Sequence, residues 1–205
     1  MSDKYHQIIL HYKNSFQQFG FNSKGLNWKN LKLNNRRFEI ASEYLDKNIS
    51  SILDFGCGTS LFYDYLKKKK IKIIYTGLDT DKSVIEYCKK RNKEINYYNF
   101  DILKNNNFKK NFDCVFANGM FTQKLNLSEK YMYEYTFKML TKMFKITKKK
   151  LIFNVLNNVV DWKNPKNFYV SLDKITNFLK KNLSKKFIIR HDYNNFECFI
   201  IVKKK

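Results

Sequence analysis
The chain has 205 residues, enough to bury a sizeable core as one domain, and its 43% hydrophobic and 17% aromatic content excludes intrinsic disorder. A formal charge of +22 points toward a polyanionic partner, but only four of the 40 basic residues are Arg (Arg36, Arg37, Arg91, Arg190), the residue that base-specific readers depend on. Lys, Asn, Ile, Tyr and Phe all have A/T-rich codons, so codon bias is a sufficient source of the charge. The Lys67–Lys70 run and the Lys203–Lys205 tail then read as solvated faces.

Residues 1–48 form a polar and aromatic lead-in: Tyr5–Phe19 has helical apolar spacing, "GFNSKGLNW" is a loop, and Asn34–Lys47 reads as a capped amphipathic helix. From there strands and helices alternate. Ser51–Phe55, Lys72–Leu78, Asn96–Phe100, Phe112–Ala117 and Lys150–Leu156 are predicted strands. The predicted helices are Ser60–Lys69, Lys82–Arg91, Ser128–Thr147 and Ser171–Leu183. The segments "KKFIIRHD" and "FECFIIVKKK", joined by "YNN", read as a hairpin. Such alternation implies a Rossmann-like, doubly wound α/β fold: seven strands, mostly parallel, with an antiparallel strand from the closing hairpin and helices on both faces.

Cys57, Cys88, Cys114 and Cys198 are scattered, with no C-x-x-C and no His at ligand spacing, which speaks against zinc and against a disulfide framework. Cys114 and Cys198 lie in apolar runs and read as small buried hydrophobes. The first residues lack a secretion-signal pattern and no apolar run approaches the ~20 residues of a membrane span, so a cytoplasmic protein is expected.

A doubly wound sheet binds ligands beyond the carboxyl ends of its strands, and three successive ends carry acids. The first strand closes on Asp54, followed by Gly56 and Gly58. Glycines permit the tight turn, but neither G-x-G-x-x-G nor a Walker loop is present. A carboxylate there repels pyrophosphate and suits a cationic amine. Alone, this is also what a plain strand–helix turn looks like. The second strand ends at Asp79, followed by Thr80; an acid there can accept hydrogen bonds from a ribose diol. The third ends at Asp101–Ile102, suited to an adenine amino group, and the fourth at Asn118. Together these describe a ligand with an amine, a ribose and an adenine, and no phosphate.

That ligand is S-adenosyl-L-methionine, and "ILDFGCGTS", "YTGLDTD", "YNFDIL" and "FDCVFANG" resemble the successive motifs of class I S-adenosylmethionine-dependent methyltransferases. A narrower resemblance extends over nearly the whole chain, through "NNRRFEIASEYL", "IFNVLN" and "RHDYNNFECFIIVKK" among others, to small uncharacterised bacterial methyltransferases encoded beside polysaccharide genes. Their glycine in the last turn is Asn194 here, a residue that tolerates the left-handed conformation. The resemblance implies that Asp54, Gly56 and Gly58 hold the methionine part of the cofactor, Asp79 the ribose, and Asp101 with Ile102 the adenine, with Thr80 a further cofactor-binding residue. Asn118 would lie beside the sulfonium. It also implies an amino-terminal lid placing Tyr12, Trp28 and Arg37 near the site, Arg37 being suited to the cofactor carboxylate.

Three functions follow for comparison. The first is methylation of a small molecule, a sugar or sugar-linked metabolite, at O or N, giving S-adenosyl-L-homocysteine and using no metal. The second is nucleic-acid methylation, favoured by charge but lacking an Asn/Asp-Pro-Pro-Tyr/Phe signature after the fourth strand. The third is a non-catalytic cofactor-binding protein. His191, at a strand end beside Asp192, which could orient it, is the candidate general base, against a structural role at a hairpin. His6 and His11 read as surface residues, Phe16, Phe19, Phe21 and Phe38 as packing, and Asn154, Asn157 and Asn158 as possible acceptor contacts.

Overall fold
The computed structural model describes residues 4–26, 31–193 and 196–204, and its chain divides into two units, Met1–Asp101 and Ile102–Lys205. In the first unit the lead-in forms α1 (His6–Phe19) and α2 (Leu31–Glu43). The apolar spacing of α1 buries Ile8 and Phe16, while Phe19, expected to pack, is largely exposed. His6 and His11, expected at the surface, are half-buried, and His6 stacks on Tyr5. The second helix starts and ends earlier than the predicted Asn34–Lys47. Asn34 therefore sits inside it and is buried rather than capping it.

Next come β1 (Ser51–Phe55), α3 (Leu61–Lys68), β2 (Ile74–Asp79), α4 (Lys82–Arg91) and β3 (Asn96–Asn99). β2 runs between β1 and β3 and is parallel to both, with Phe55 opposite Leu78 and Asp79 opposite Asn99, so the three carboxyl ends are level. α4 matches its predicted span because its signals are local. Asp81 caps it, accepting from the Ser83 N–H at 2.8 Å, and Lys89, Lys90 and Arg91 complement the negative helix end. Phe38 of α2 packs on Phe62 and Tyr65 of α3, with ring centroids 5.2 and 5.7 Å apart. Phe38 and Phe62 are both buried, and each such side chain contributes about 1.5–3 kcal/mol.

The second unit contains β4 (Phe112–Ala117), α5 (Glu129–Lys145), β5 (Thr147–Asn157), β6 (Tyr169–Val170), α6 (Leu172–Phe178), β7 (Phe187–Arg190) and β8 (Glu197–Lys203). β4 is buried at every position and pairs in parallel with β5, as a strand covered on both faces should. β8 enters antiparallel between β5 and β7, as predicted for the closing hairpin. β6, two residues paired with β5, is an addition to the seven predicted strands. The helix predicted over Ser171–Leu183 is α6 followed by one π-helical turn, Leu179–Leu183.

Lys67–Lys70 is exposed as expected, but the carboxyl-terminal lysines are not all solvated. Lys204 Nζ donates to the carbonyls of Phe144 and Thr147 at 3.0 and 2.5 Å, closing the end of α5. All four cysteines are buried and free. Among the described residues no helix is long and apolar enough to cross a membrane. Asn194 lies outside the described residues.

Candidate active site
In the first unit the turn after β1 is tied to the end of β2. The N–H groups of Gly56 and Cys57 donate to the Leu78 carbonyl at 2.8 and 3.0 Å, and the Gly58 N–H donates to Asp79 Oδ2 at 3.1 Å. Gly56 and Gly58 have φ of 74° and 49°, the region that favours glycine. A Cβ on Gly58 would also stand 2.6 Å from Leu26 Cδ2, because the loop after α1 packs onto this turn. Behind the turn, Arg91 Nη1 donates to the Thr59 carbonyl at 3.0 Å.

Each of the three predicted acids has its own environment. Asp54 is buried, and the Tyr75 hydroxyl donates to its Oδ2 at 2.6 Å. Burial pushes its carboxyl up to about 7; the Tyr75 bond opposes this and the charge of Asp79 adds to it. No Lys, Arg or His pairs with Asp54 among the described residues, so it is a buried acid lacking a counter-cation.

Asp79 is half-buried, and its Oδ1 accepts from the Asp81 N–H at 3.0 Å. Burial raises its pKa, and the backbone N–H bonds from Asp81 and Gly58 pull it back. The Asp79 carbonyl accepts from the Phe100 N–H at 3.0 Å and from Asn99 Nδ2 at 3.1 Å, which fixes the end of β3 against the end of β2. Thr80 follows, half-buried.

Asp101 accepts a 2.7 Å hydrogen bond from the hydroxyl of Tyr5, just ahead of α1. Tyr5 thus meets a predicted site residue across 96 positions, a pairing that no local pattern signals. Leu26 against Gly58 is another such pairing. Tyr12 on α1 is half-buried, and burial pushes its phenol up to about 12 against the lowering influence of the Arg37 guanidinium. Arg37 in turn donates to Asn34 Oδ1 at 2.7 Å. Tyr12 therefore lies within the electrostatic reach of Arg37; Trp28 lies outside the described residues.

In the second unit Ile102 is buried. Asn118 follows β4, and both polar atoms of its carboxamide are buried without a hydrogen-bond partner among the described residues. The next residue, Gly119, donates its N–H to Asn154 Oδ1 at 2.7 Å, and Asn154 Nδ2 reaches Glu197 Oε2 at 3.4 Å. Asn154 and Glu197 are both buried; the sequence reading offers Asn154 to a hydroxylated acceptor, whereas here its carboxamide is taken up by Gly119 and Glu197.

Asp192 does not orient His191. Its carboxylate takes two bonds from Arg190, at 2.7 and 2.8 Å, a bidentate match that a guanidinium makes better than an imidazole. His191 is exposed and instead meets Asn157 Nδ2 through Nε2 at 3.0 Å. Asn157 Oδ1 accepts from the Val159 N–H at 2.8 Å, which fixes the carboxamide orientation and makes His191 Nε2 the acceptor. Asn158 is exposed, its N–H bonded to the Val170 carbonyl. A groove of about 660 Å³ on α5 and α6, lined by Tyr133, Phe137, Lys174 and Phe178, contains none of these residues. Among the described residues no three His, Cys, Asp or Glu side chains gather to hold a metal ion.

A family model described as a methyltransferase domain matches residues 46–194. A protein of Mycobacterium tuberculosis that carries a methyltransferase name is 24% identical over 156 residues, 75% of this chain and 93% of that protein. Among solved structures, the magnesium protoporphyrin IX methyltransferase of Synechocystis PCC 6803 with bound SAH aligns with TM-score 0.66 at 10% identity, over 98% of this chain and 97% of that one. The plantazolicin methyltransferase BpumL, in complex with a triazolic desmethylPZN analog and SAH, aligns with TM-score 0.62 at 13% identity over the whole of both chains. These structural likenesses concern the fold, which is that of Rossmann-like methyltransferases.

Proposed function
This chain belongs to the methyltransferase domain family, and on that premise we propose that it transfers a methyl group from S-adenosyl-L-methionine to a small molecule, a sugar or sugar-linked metabolite. The observation that carries the cofactor part is Asp54: a buried carboxyl with no cation beside it among the described residues, next to a glycine turn in which the Gly58 N–H holds the neighbouring acid in place. An ammonium group is the complement such an acid calls for. When bound, the cofactor supplies a methyl already activated by its sulfonium.

The rest falls to the chain. Asp54, Gly56 and Gly58 receive the amino-acid end, with Tyr12 and Arg37 on its carboxylate. Asp79 and Thr80 receive the ribose diol, and Asp101 with Ile102 the adenine. Asn118 takes the role beside the sulfonium that the family resemblance gives it. Holding the acceptor in line and excluding water is the main catalytic work in such a displacement. His191 acts as the base on a hydroxyl acceptor only after its Nε2 leaves Asn157, because that nitrogen accepts the Asn157 bond.

The polar, uncharged Asn157 closes β5 beside the exposed His191, and such a pair suits a hydroxylated acceptor, which supports the sugar reading. The charge of +22 supports a second reading, methylation of RNA. Incubation with S-adenosylmethionine tritiated in its methyl group, against nucleotide sugars, free sugars and tRNA, separates them. Label on a sugar-containing acceptor is expected. Label in tRNA alone would replace this reading with the second, and no label in any acceptor despite cofactor binding would leave a cofactor-binding protein.

A further inference from the structure
The sequence pattern puts Asn34 at a helix start, yet it lies within α2, one turn before Arg37, and is 3% exposed. A carboxamide in such a place needs partners for both ends. Its Oδ1 has one, the Arg37 Nη1 donor at 2.7 Å. That bond fixes which end is which, since a guanidinium only donates. The remaining group is Nδ2, a buried donor with no hydrogen-bond partner among the described residues. Buried donors are rarely left this way, and each calls for an explanation.

The neighbouring chemistry narrows the partner. Arg37 brings a permanent positive charge, and Tyr12 of α1 lies within its electrostatic reach with a phenol kept neutral by burial. A neutral carbonyl would satisfy Asn34 Nδ2 and leave the guanidinium without a charge partner from the ligand. A phosphate dianion would meet one cation and one neutral donor, too little for its charge. A carboxylate matches the set, with one negative charge shared over two oxygens and in-plane donors on both sides.

We infer that Asn34 and Arg37 form a carboxylate subsite, in which Asn34 Nδ2 donates to the carboxylate of the cofactor's methionine part. Asn34 thereby has two tasks, holding the guanidinium through Oδ1 and binding the ligand through Nδ2. This rests on the proposed cofactor, so the test must fail differently for the two ideas.

Calorimetry with two ligands does so: S-adenosylhomocysteine, which has the amino-acid end, and 5′-methylthioadenosine, which lacks it. Asn34→Asp keeps an acceptor for Arg37, removes the donor and sets a negative charge against the ligand's own. It is expected to weaken S-adenosylhomocysteine by on the order of tenfold or more while leaving methylthioadenosine unchanged. Asn34→Ala, which adds no repulsion, should show the same selectivity with a smaller loss. Unchanged S-adenosylhomocysteine affinity in both variants overturns the inference, and so does an equal loss for the two ligands, the mark of a purely structural residue. Wild-type protein that binds neither ligand overturns the cofactor reading itself, and this subsite with it.

Discussion

In the first unit the acids at the ends of β1, β2 and β3 are each held by the protein itself: Asp54 by Tyr75, Asp79 by two backbone N–H groups, Asp101 by Tyr5. After β4 in the second unit, Asn118 has a buried carboxamide with no partner among the described residues, and His191 is exposed with its Nε2 on Asn157. The first arrangement is built before any ligand arrives, so its geometry already describes the ligand. The second leaves polar groups to be completed by whatever binds. On the proposed reading, this is why the residues describe the cofactor more closely than the acceptor.

The contrast can be broken most severely at Gly58. Gly58→Val forces a branched side chain into a left-handed backbone, costing about 1–2 kcal/mol, and drives it into Leu26, adding about 1–3 kcal/mol of overpacking. Chemical denaturation should show that loss, and titration should show S-adenosylhomocysteine binding abolished. Retained binding would mean that the turn is not part of the cofactor site.

A subtler perturbation uses pH. The Asp54 carboxyl, raised to about 7 chiefly by burial, is half protonated at neutral pH, and a bound ammonium favours its ionised form. Cofactor affinity should therefore fall about fivefold from pH 7 to pH 6, with proton release on binding near neutrality. It should decline again above about pH 8 as the ligand's amine deprotonates. For stability without ligand the sign is reversed. A buried acid that keeps its proton to about 7 favours folding least when ionised, so its contribution declines as pH rises from the ordinary value of 3.8 toward 7. Flat affinity between pH 6 and 7 would detach Asp54 from the amine.

The smallest effect sharpens the comparison from the other unit. Lys204→Met removes the donor that closes α5 and should lower stability by about 1 kcal/mol. S-adenosylhomocysteine affinity should not change, and a change would show that the cofactor end is less self-contained than its hydrogen bonds imply.

The parts of this fold that were legible in sequence are those whose causes are local. Lys82–Arg91 and Phe112–Ala117 match their predicted spans because their causes are local: an Asp cap directly ahead of the helix, and in the strand an apolar run broken by Asp113 alone. The strand-end acids were found for the same reason: strand, acid and turn are contiguous. What escaped depends on residues far apart in the chain. Tyr5 meets Asp101, Leu26 covers Gly58, Glu197 meets Asn154 and Lys204 reaches Phe144, none with a periodic signature. β6 is too short for alternation to register, and the Asp192 assignment failed because adjacency in sequence says nothing about which neighbour offers the better fork.

The central claim, that the three acids hold S-adenosylmethionine, is tested most directly at Asp79. Calorimetric titration of S-adenosylhomocysteine into wild-type and Asp79→Ala protein should give saturable binding in the first and affinity lower by on the order of tenfold or more in the second, since two ribose hydroxyls lose their acceptor. Equal affinity in the two proteins, or no binding to the wild type, would contradict the account.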